Sequence, residues 1–117
     1  MTRYTGKNHP LLTKLRKLSK RLPETEELET WGHPTFRVRD KIFASFGESD
    51  GEPRIGCKQS LADQTALVKD PRFSVAKYVG RYGWISITAE EVKWPMIEDL
   101  VLRSYRLIAP KTLAKDV

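Results

Sequence analysis

The sequence predicts an α+β fold, an antiparallel β-sheet of about five strands with helices packed on one face, in the order α-β-β-β-β-α-β-α. Three observations lead to this prediction. A leucine stripe with helical spacing lies near the N-terminus, four short runs with alternating polarity follow it, and a second helical stripe lies near the C-terminus.

The chain has 117 residues, which suits a single domain spanning 1–117. Segments 1–9 and 111–117 are expected to be flexible ends. No apolar run approaches the roughly 20 residues that a membrane span needs, and the N-terminal residues lack the apolar core of a secretory signal. The single cysteine excludes an internal disulfide framework, so a cytoplasmic protein is expected.

The first predicted helix, in PLLTKLRKLSKRL, carries most of the charge asymmetry. Residues 1–22 hold seven basic residues and no acidic one, whereas the rest of the chain holds 14 basic and 15 acidic residues. Leu11, Leu15, Leu18 and Leu22 form the apolar stripe, with Leu12 at its edge. A basic flank then indicates an anionic partner, nucleic acid before a membrane surface, or else a solvated helix face. Its residues are Lys14, Lys17 and Arg21.

Four strands follow in ELETW, TFRVRD, KIFASF and PRIGCK, as an antiparallel meander. RD is predicted to be a tight turn and ESDGEP a longer, mobile, acidic loop. Alternation places one set on an apolar face: Phe36, Val38, Ile42, Ala44, Phe46, Ile55 and Cys57. It places another set on the opposite face: Arg37, Arg39, Lys41, Phe43, Arg54 and Lys58.

A short helix is predicted in SLADQTALVKDP, with Ser60 as its N-cap. RFSVAKYVGRYG is predicted to be a loop and WISIT the fifth strand. The last helix begins near WPMIED and ends at Pro110.

Residues for catalysis or metal binding are few, and no catalytic site, cofactor or metal is expected. Cys57 falls on the apolar face, where a thiol is inert. His33 fits a structural turn, since no nucleophile or acid stands at a recognisable spacing from it. The acidic cluster at 24–29 lacks the spacing of a calcium loop and fits a solvated edge.

The segment YVGRYGW has two interpretations. Trp84 and Ser86 alternate with Ile85 and Ile87, which would place Trp84 on the outer sheet face with Arg37, Arg54 and Lys58. Rings interleaved with basic residues suit nucleic acid. Alternatively, the aromatic side chains fill a small core under the loop. The hypothesis favoured here is a divided element, in which the rings hold the corner while Arg81, stacked on a ring, faces the ligand.

Three motifs in order, WGHPTFRVRDKIFASF, YVGRYGW and LVLRSYRLIAP, resemble the MmcQ/YjbR family of small bacterial proteins, over about residues 15–111. The resemblance implies an α+β fold like that of frataxin/CyaY proteins, called a double wing, and a DNA-binding role. It supplies no catalytic residues. The first helix is basic where a frataxin-like iron site would require acidic residues, so the resemblance does not lead us to expect a metal.

The sequence thus predicts a non-catalytic protein that binds nucleic acid, DNA in preference, with low sequence specificity and without a membrane. The alternative is a protein-interaction module that uses the aromatic loop at 78–84. The oligomeric state stays open. The candidate contact residues are Lys14, Lys17, Arg21, Arg37, Lys58, Arg81, Tyr82 and Trp84.

Overall fold

The structure, a computed structural model, describes residues 9–117. These residues form a six-stranded antiparallel sheet and four α-helices, which confirms the predicted α+β class with one strand more than expected. The helices are α1 (Pro10–Lys20), α2 (Leu61–Leu67), α3 (Trp94–Ile108) and α4 (Lys111–Ala114). The strands are β1 (Thr25–Thr30), β2 (His33–Val38), β3 (Lys41–Ser49), β4 (Glu52–Lys58), β5 (Phe73–Val75) and β6 (Trp84–Thr88).

The sheet has the strand order β1-β2-β3-β4-β6-β5. Two-residue turns join β1 to β4, at Trp31-Gly32, Arg39-Asp40 and Asp50-Gly51, and all six turn residues have φ between 50° and 83°. Paired positive φ values define the type I′ turn, whose twist matches that of the strands. The tight turn at RD is confirmed. The long loop predicted at ESDGEP is wrong, because β3 and β4 continue up to the Asp50-Gly51 turn.

Helices α1 and α3 cover one face of the sheet, called here the inner face. α1 contributes Leu12, Leu15 and Leu18 to the core, and α3 contributes Ile97 and Leu100. Leu12 is fully buried, so it belongs to the centre of the leucine stripe rather than to its edge. His9 caps α1, since its Nδ1 accepts a hydrogen bond from the Leu11 N–H at 3.1 Å.

A β-bulge in β3 changes the faces predicted for two residues. Phe36 pairs with Ala44 and Arg37 with Ile42, so Phe43 is the extra residue. Phe43 is therefore fully buried, 5.4 Å from the Tyr105 ring, and not on the outer face. Ile42 is only half-buried and lines the outer face instead.

Ser104 of α3 bonds to two backbone groups, one at this bulge and one at the end of β4. Its Oγ donates to the Phe43 carbonyl at 2.7 Å and accepts from the Lys58 N–H at 2.9 Å. Both bonds are shielded by the helix, so α3 fixes the bulge as well as covering it.

The segment predicted to be a loop between α2 and the last strand contains strand β5, which pairs with β6. Three residues are too few to show a reliable alternation in the sequence, and Phe73 alone is buried. The predicted N-cap of α2 is confirmed, since Ser60 Oγ accepts from the Asp63 N–H at 3.0 Å.

The structure describes the C-terminal segment 111–117, which the sequence predicts to be a flexible end. It forms α4, and Leu113, Ala114 and Val117 pack against the core. The Arg106 guanidinium also donates to the Val117 carbonyl at 2.8 Å. Of the predicted flexible N-terminal end, residues 1–8 lie outside the described part of the chain.

Candidate functional site

The face of the sheet opposite α1 and α3, called here the outer face, has a row of small side chains running across five strands. Backbone pairing aligns these residues in register from β2 to β5. They are Thr35, Ser45, Gly56, Ser86 and Ser74. Small residues leave the backbone of the sheet close to the surface, so this row forms the floor of a depression.

That depression, called here the trough, has a volume of about 1040 Å³. Larger side chains stand around its floor, with Trp31 near edge strand β1 and Lys77 and Val79 beyond edge strand β5. Five strand spacings of ~4.8 Å separate the two edge strands, which gives a length of about 24 Å. The trough is therefore long enough for an extended ligand.

Two arginines of the trough have unsatisfied hydrogen-bond donors. Arg37 and Arg54 are both half-buried, and the Nε atom of each is buried without a hydrogen-bond partner. Arg37 Nη2 donates to Thr30 Oγ1 at 2.9 Å. Within residues 9–117 neither arginine pairs with a carboxylate. A partly buried charge without a counter-ion carries a desolvation cost, and an anionic ligand would offset that cost.

The charge around the trough is positive on balance. Four basic side chains line it, against two acidic ones, Asp40 and Glu48. Other arginines of the protein are neutralised in pairs, for example Arg39 with Glu24 and Arg72 with Asp70. The Arg39 guanidinium lowers the pKa of Glu24, and Arg72 lowers the pKa of Asp70, each chiefly through its side-chain hydrogen bond.

The YVGRYGW segment differs from the divided element that the sequence suggested. Tyr78 is 96% exposed and Tyr82 52% exposed, so these two rings do not hold the corner. The amide of Gln64 holds it, since Nε2 donates to the carbonyls of Gly80 at 2.7 Å and Trp84 at 2.9 Å. Close packing also fixes Gly83, which has φ 96° and where a Cβ would overlap the Gln59 carbonyl.

Arg81 does stack as predicted. Its guanidinium carbon lies 4.9 Å from the centre of the Tyr82 ring, and Nη2 donates to the Tyr82 hydroxyl at 2.8 Å. Both residues are exposed on the 3₁₀ turn Gly80–Tyr82. They stand beside Trp84 but do not line the trough.

The basic flank of α1 forms a second, smaller cleft with α3. Lys14, Lys17 and Arg21 surround Trp94 in a space of about 370 Å³. Lys14 Nζ lies 5.9 Å from the indole centre, and Arg21 is paired with Glu98 at 3.5 Å. Because α1 packs on the inner face, this cleft and the trough lie on opposite faces of the sheet.

The structure therefore divides the eight predicted contact residues into separate groups. Arg37 and Trp84 line the trough, and Lys58 pairs with Trp84 across β4 and β6. The three α1 residues lie on the other face. Sequence reasoning did not count Trp31 as a contact residue, although its place before a glycine could have indicated an exposed turn.

The two side chains that the sequence analysis considered for catalysis are His33 and Cys57. His33 is the first residue of β2, and its Nδ1 lies 3.1 Å from where a Cβ at Gly47 would stand. Cys57 is fully buried, and burial raises its pKa to about 12. Within residues 9–117 there is no group of three His, Cys, Asp or Glu side chains that could hold a metal ion. None of the helices in that range has the length and apolar character to cross a membrane.

Comparisons with known proteins agree with this architecture. The chain is similar in fold to the crystal structure of Deinococcus radiodurans protein DR2400, which has a DUF419 domain. The TM-score is 0.74 at 17% identity, over 90% of this chain and 86% of that one. None of the curated proteins compared with this chain matches it. The YjbR family pattern matches residues 20–107, well over half of the sequence. The chain therefore belongs to the YjbR family.

Proposed function

We propose that the protein is a non-catalytic nucleic-acid-binding protein and that the trough on its outer face is the binding surface. The observation that carries the proposal is the pair Arg37 and Arg54, two half-buried guanidinium groups without carboxylate partners. Guanidinium forks match phosphate geometry, and the roughly 24 Å length suits a chain of phosphates better than a single anion.

The lining of the trough favours low sequence specificity. It contains neither Asn nor Gln, the side chains that read adenine by paired hydrogen bonds. Contacts to phosphate position a nucleic acid without reading its sequence. DNA is the first candidate, because the family resemblance implies it.

A titration with labelled oligonucleotides tests the proposal. Arg37→Gln combined with Arg54→Gln should weaken binding of every sequence alike. It should also reduce the slope of log affinity against log salt by about 1.4 for single strands, or about 1.8 for a duplex. Measurements between about 50 and 200 mM salt cover the range in which the effect is large.

A matched control changes Lys111 and Lys115 to Gln, which removes the same charge from α4 and its C-cap. This variant should keep the slope of the unaltered protein. If both double variants weaken binding equally, only net charge matters and the trough is not the site. If no oligonucleotide binds at low salt, the proposed function fails.

A protein-interaction module is the second candidate, favoured by one specific observation. The segment around Tyr78 exposes several apolar side chains next to one another, and exposed apolar groups of this kind occur in protein interfaces. They are Val75, Tyr78, Val79 and Tyr82. A partner held by these groups would bind with little dependence on salt, unlike a nucleic acid.

A further inference from the structure

Two aromatic side chains are exposed without any structural reason for their position. Trp31 is 93% exposed and Tyr78 is 96% exposed, so neither contributes packing to the core. Both also have a left-handed backbone, with φ of 56° and 67°. A bulky residue with positive φ is a rare and strained arrangement, and strain of this kind occurs preferentially at functional sites.

Trp31 and Tyr78 each lie in a tight turn, where an aromatic residue is unusual. Trp31 is the first central residue of a type I′ turn, a place normally taken by Asn or Asp before Gly. Tyr78 is the centre of a three-residue turn, in which the Val79 N–H donates to the Lys77 carbonyl at 2.7 Å. This γ-turn geometry with positive φ is strained. Neither turn geometry nor burial explains an aromatic residue at these two positions.

Trp31 stands at one end of the trough, and Tyr78 lies next to the other end without lining it. Trp31 lines it next to edge strand β1. Tyr78 follows edge strand β5, and its neighbours Lys77 and Val79 line the other end. Arg37 on β2 and Arg54 on β4 lie between them. A ligand that lies across the strands would therefore meet one ring, two guanidinium groups and the second ring in that order.

The distribution of charge indicates a narrow ligand. The two guanidinium groups lie inside the trough with their Nε atoms buried, while exposed acidic residues stand around them, of which Asp40 and Glu48 line the trough itself. Glu48, Asp50 and Glu52 are exposed around the β3–β4 turn, and Glu26, the register partner of Arg37, is exposed on edge strand β1. A duplex presents the phosphates of two strands over a wider surface than a single strand does. It would therefore bring some of its phosphates close to these carboxylates. A single strand can enter the trough, and its free bases can stack on exposed rings, whereas duplex bases already stack on one another.

We propose that the trough binds a single-stranded nucleic acid that crosses the strands from β1 to β5, with phosphates on Arg37 and Arg54 and bases stacked on Trp31 and Tyr78. This inference rests on the proposed function and specifies the strandedness and orientation of its ligand. Single-stranded DNA and RNA share the chemistry that it requires, so both are used in the test.

The test measures fluorescence anisotropy with labelled oligonucleotides about 15 nucleotides long, as single-stranded DNA, single-stranded RNA and the matching DNA duplex. The unaltered protein should bind at least one single strand about tenfold more tightly than the duplex. Trp31→Asn and Tyr78→Asn should each weaken single-strand binding by between about 5-fold and 150-fold, the range expected for one lost base stack. Duplex binding should change by less than about twofold.

Asn is chosen because it tolerates positive φ, so both variants should melt at the same temperature as the unaltered protein or higher. Trp31→Tyr keeps a ring and should retain most of the affinity. Leu107→Ala removes an exposed apolar side chain of α3 and is the matched control, for which no change is expected.

The outcomes separate the inference from the proposed function. If the duplex binds as tightly as the single strands, or if both Asn variants bind single strands normally, the inference is overturned. Loss of binding in the Arg37 and Arg54 double variant would still support the proposed function in either case. If none of the three oligonucleotides binds, the inference and the proposed function fail together.

Discussion

Phe43 occupies the bulge of β3 and fills the core between the sheet and α3. It is fully buried and meets Tyr105 edge to face, whereas its neighbour Ile42 is partly exposed on the outer face. We expect Phe43→Ala to lower the free energy of unfolding by about 3–5 kcal/mol, from lost burial and the cavity that remains. Ile42→Ala should cost only about 1 kcal/mol. Denaturant unfolding of the two variants measures both losses in unfolding free energy. Equal losses would contradict the placement of Phe43 in the core and Ile42 on the outer face.

Cys57 couples stability to alkaline pH. Burial raises its pKa to about 12, and a weak hydrogen bond from Gln59 opposes that shift only in part. The unfolded thiol ionises near pH 8.5, so its contribution to stability is complete below that pH and declines as pH rises towards 12. We therefore expect Cys57→Ala to lose less stability than the unaltered protein between about pH 8 and pH 10. Parallel denaturant titrations measure this difference.

The same burial predicts how Cys57 reacts. A disulfide reagent at about pH 8 should modify the thiol only after denaturant unfolds the protein, because the native thiol is neutral and inaccessible. Rapid modification of the native protein would show that the site is open.

Gln64 of α2 fixes the corner formed by the 3₁₀ turn and β6. Gln64→Ala would leave the carbonyls of Gly80 and Trp84 without this donor, and we expect a cost of about 1–3 kcal/mol. Thr65→Ala on the exposed side of α2 is the control and should cost less than about 1 kcal/mol. Thermal melts distinguish the two. Should Tyr78→Ala instead destabilise the protein more than Gln64→Ala, the rings would hold the corner after all.

Sequence patterns predicted the elements that have many repeats of one period. The leucines of α1, the alternation in β2 and β4 and the apolar stripe of α3 all belong to this group. Alternation failed at Phe43, because one inserted residue breaks the alternation between the two sides of the bulge and leaves no mark in composition. It failed at β5 because three residues are too few to define a period.

The trough was predictable only in part, for a physical reason. Arg37 and Trp84 follow from alternation within their own strands. The row of small residues joins five strands and exists only through their register, which a single sequence does not reveal. Trp31 was placed at the end of the predicted strand ELETW, and the exposure of its ring could not be judged without the structure.

At the scale of the whole molecule, the sheet separates two basic surfaces. The trough lies on the outer face, and the cleft of Lys14, Lys17 and Arg21 lies on the inner side with α1. The assignment of α1 to nucleic-acid contact stays a prediction from the sequence. A short strand in the trough cannot reach α1 through the sheet, and Glu98 already neutralises Arg21.

We therefore expect the triple change of Lys14, Lys17 and Arg21 to Gln to leave the salt slope for a short oligonucleotide unchanged. The variant should stay folded, since all three side chains lie outside the leucine stripe. A slope smaller by roughly one unit per lost phosphate contact, measured in the same titration, would instead make α1 part of the footprint.

The central claim, that the outer face binds nucleic acid, is tested most directly by mapping amide chemical-shift changes on isotope-labelled protein as single-stranded DNA is added. The account predicts shifts along the floor at Ser45, Gly56 and Ser86 and at both ends near Trp31 and Tyr78, with Lys14 and Lys17 unchanged. Shifts confined to the cleft between α1 and α3, or no shifts at saturating oligonucleotide, would contradict it.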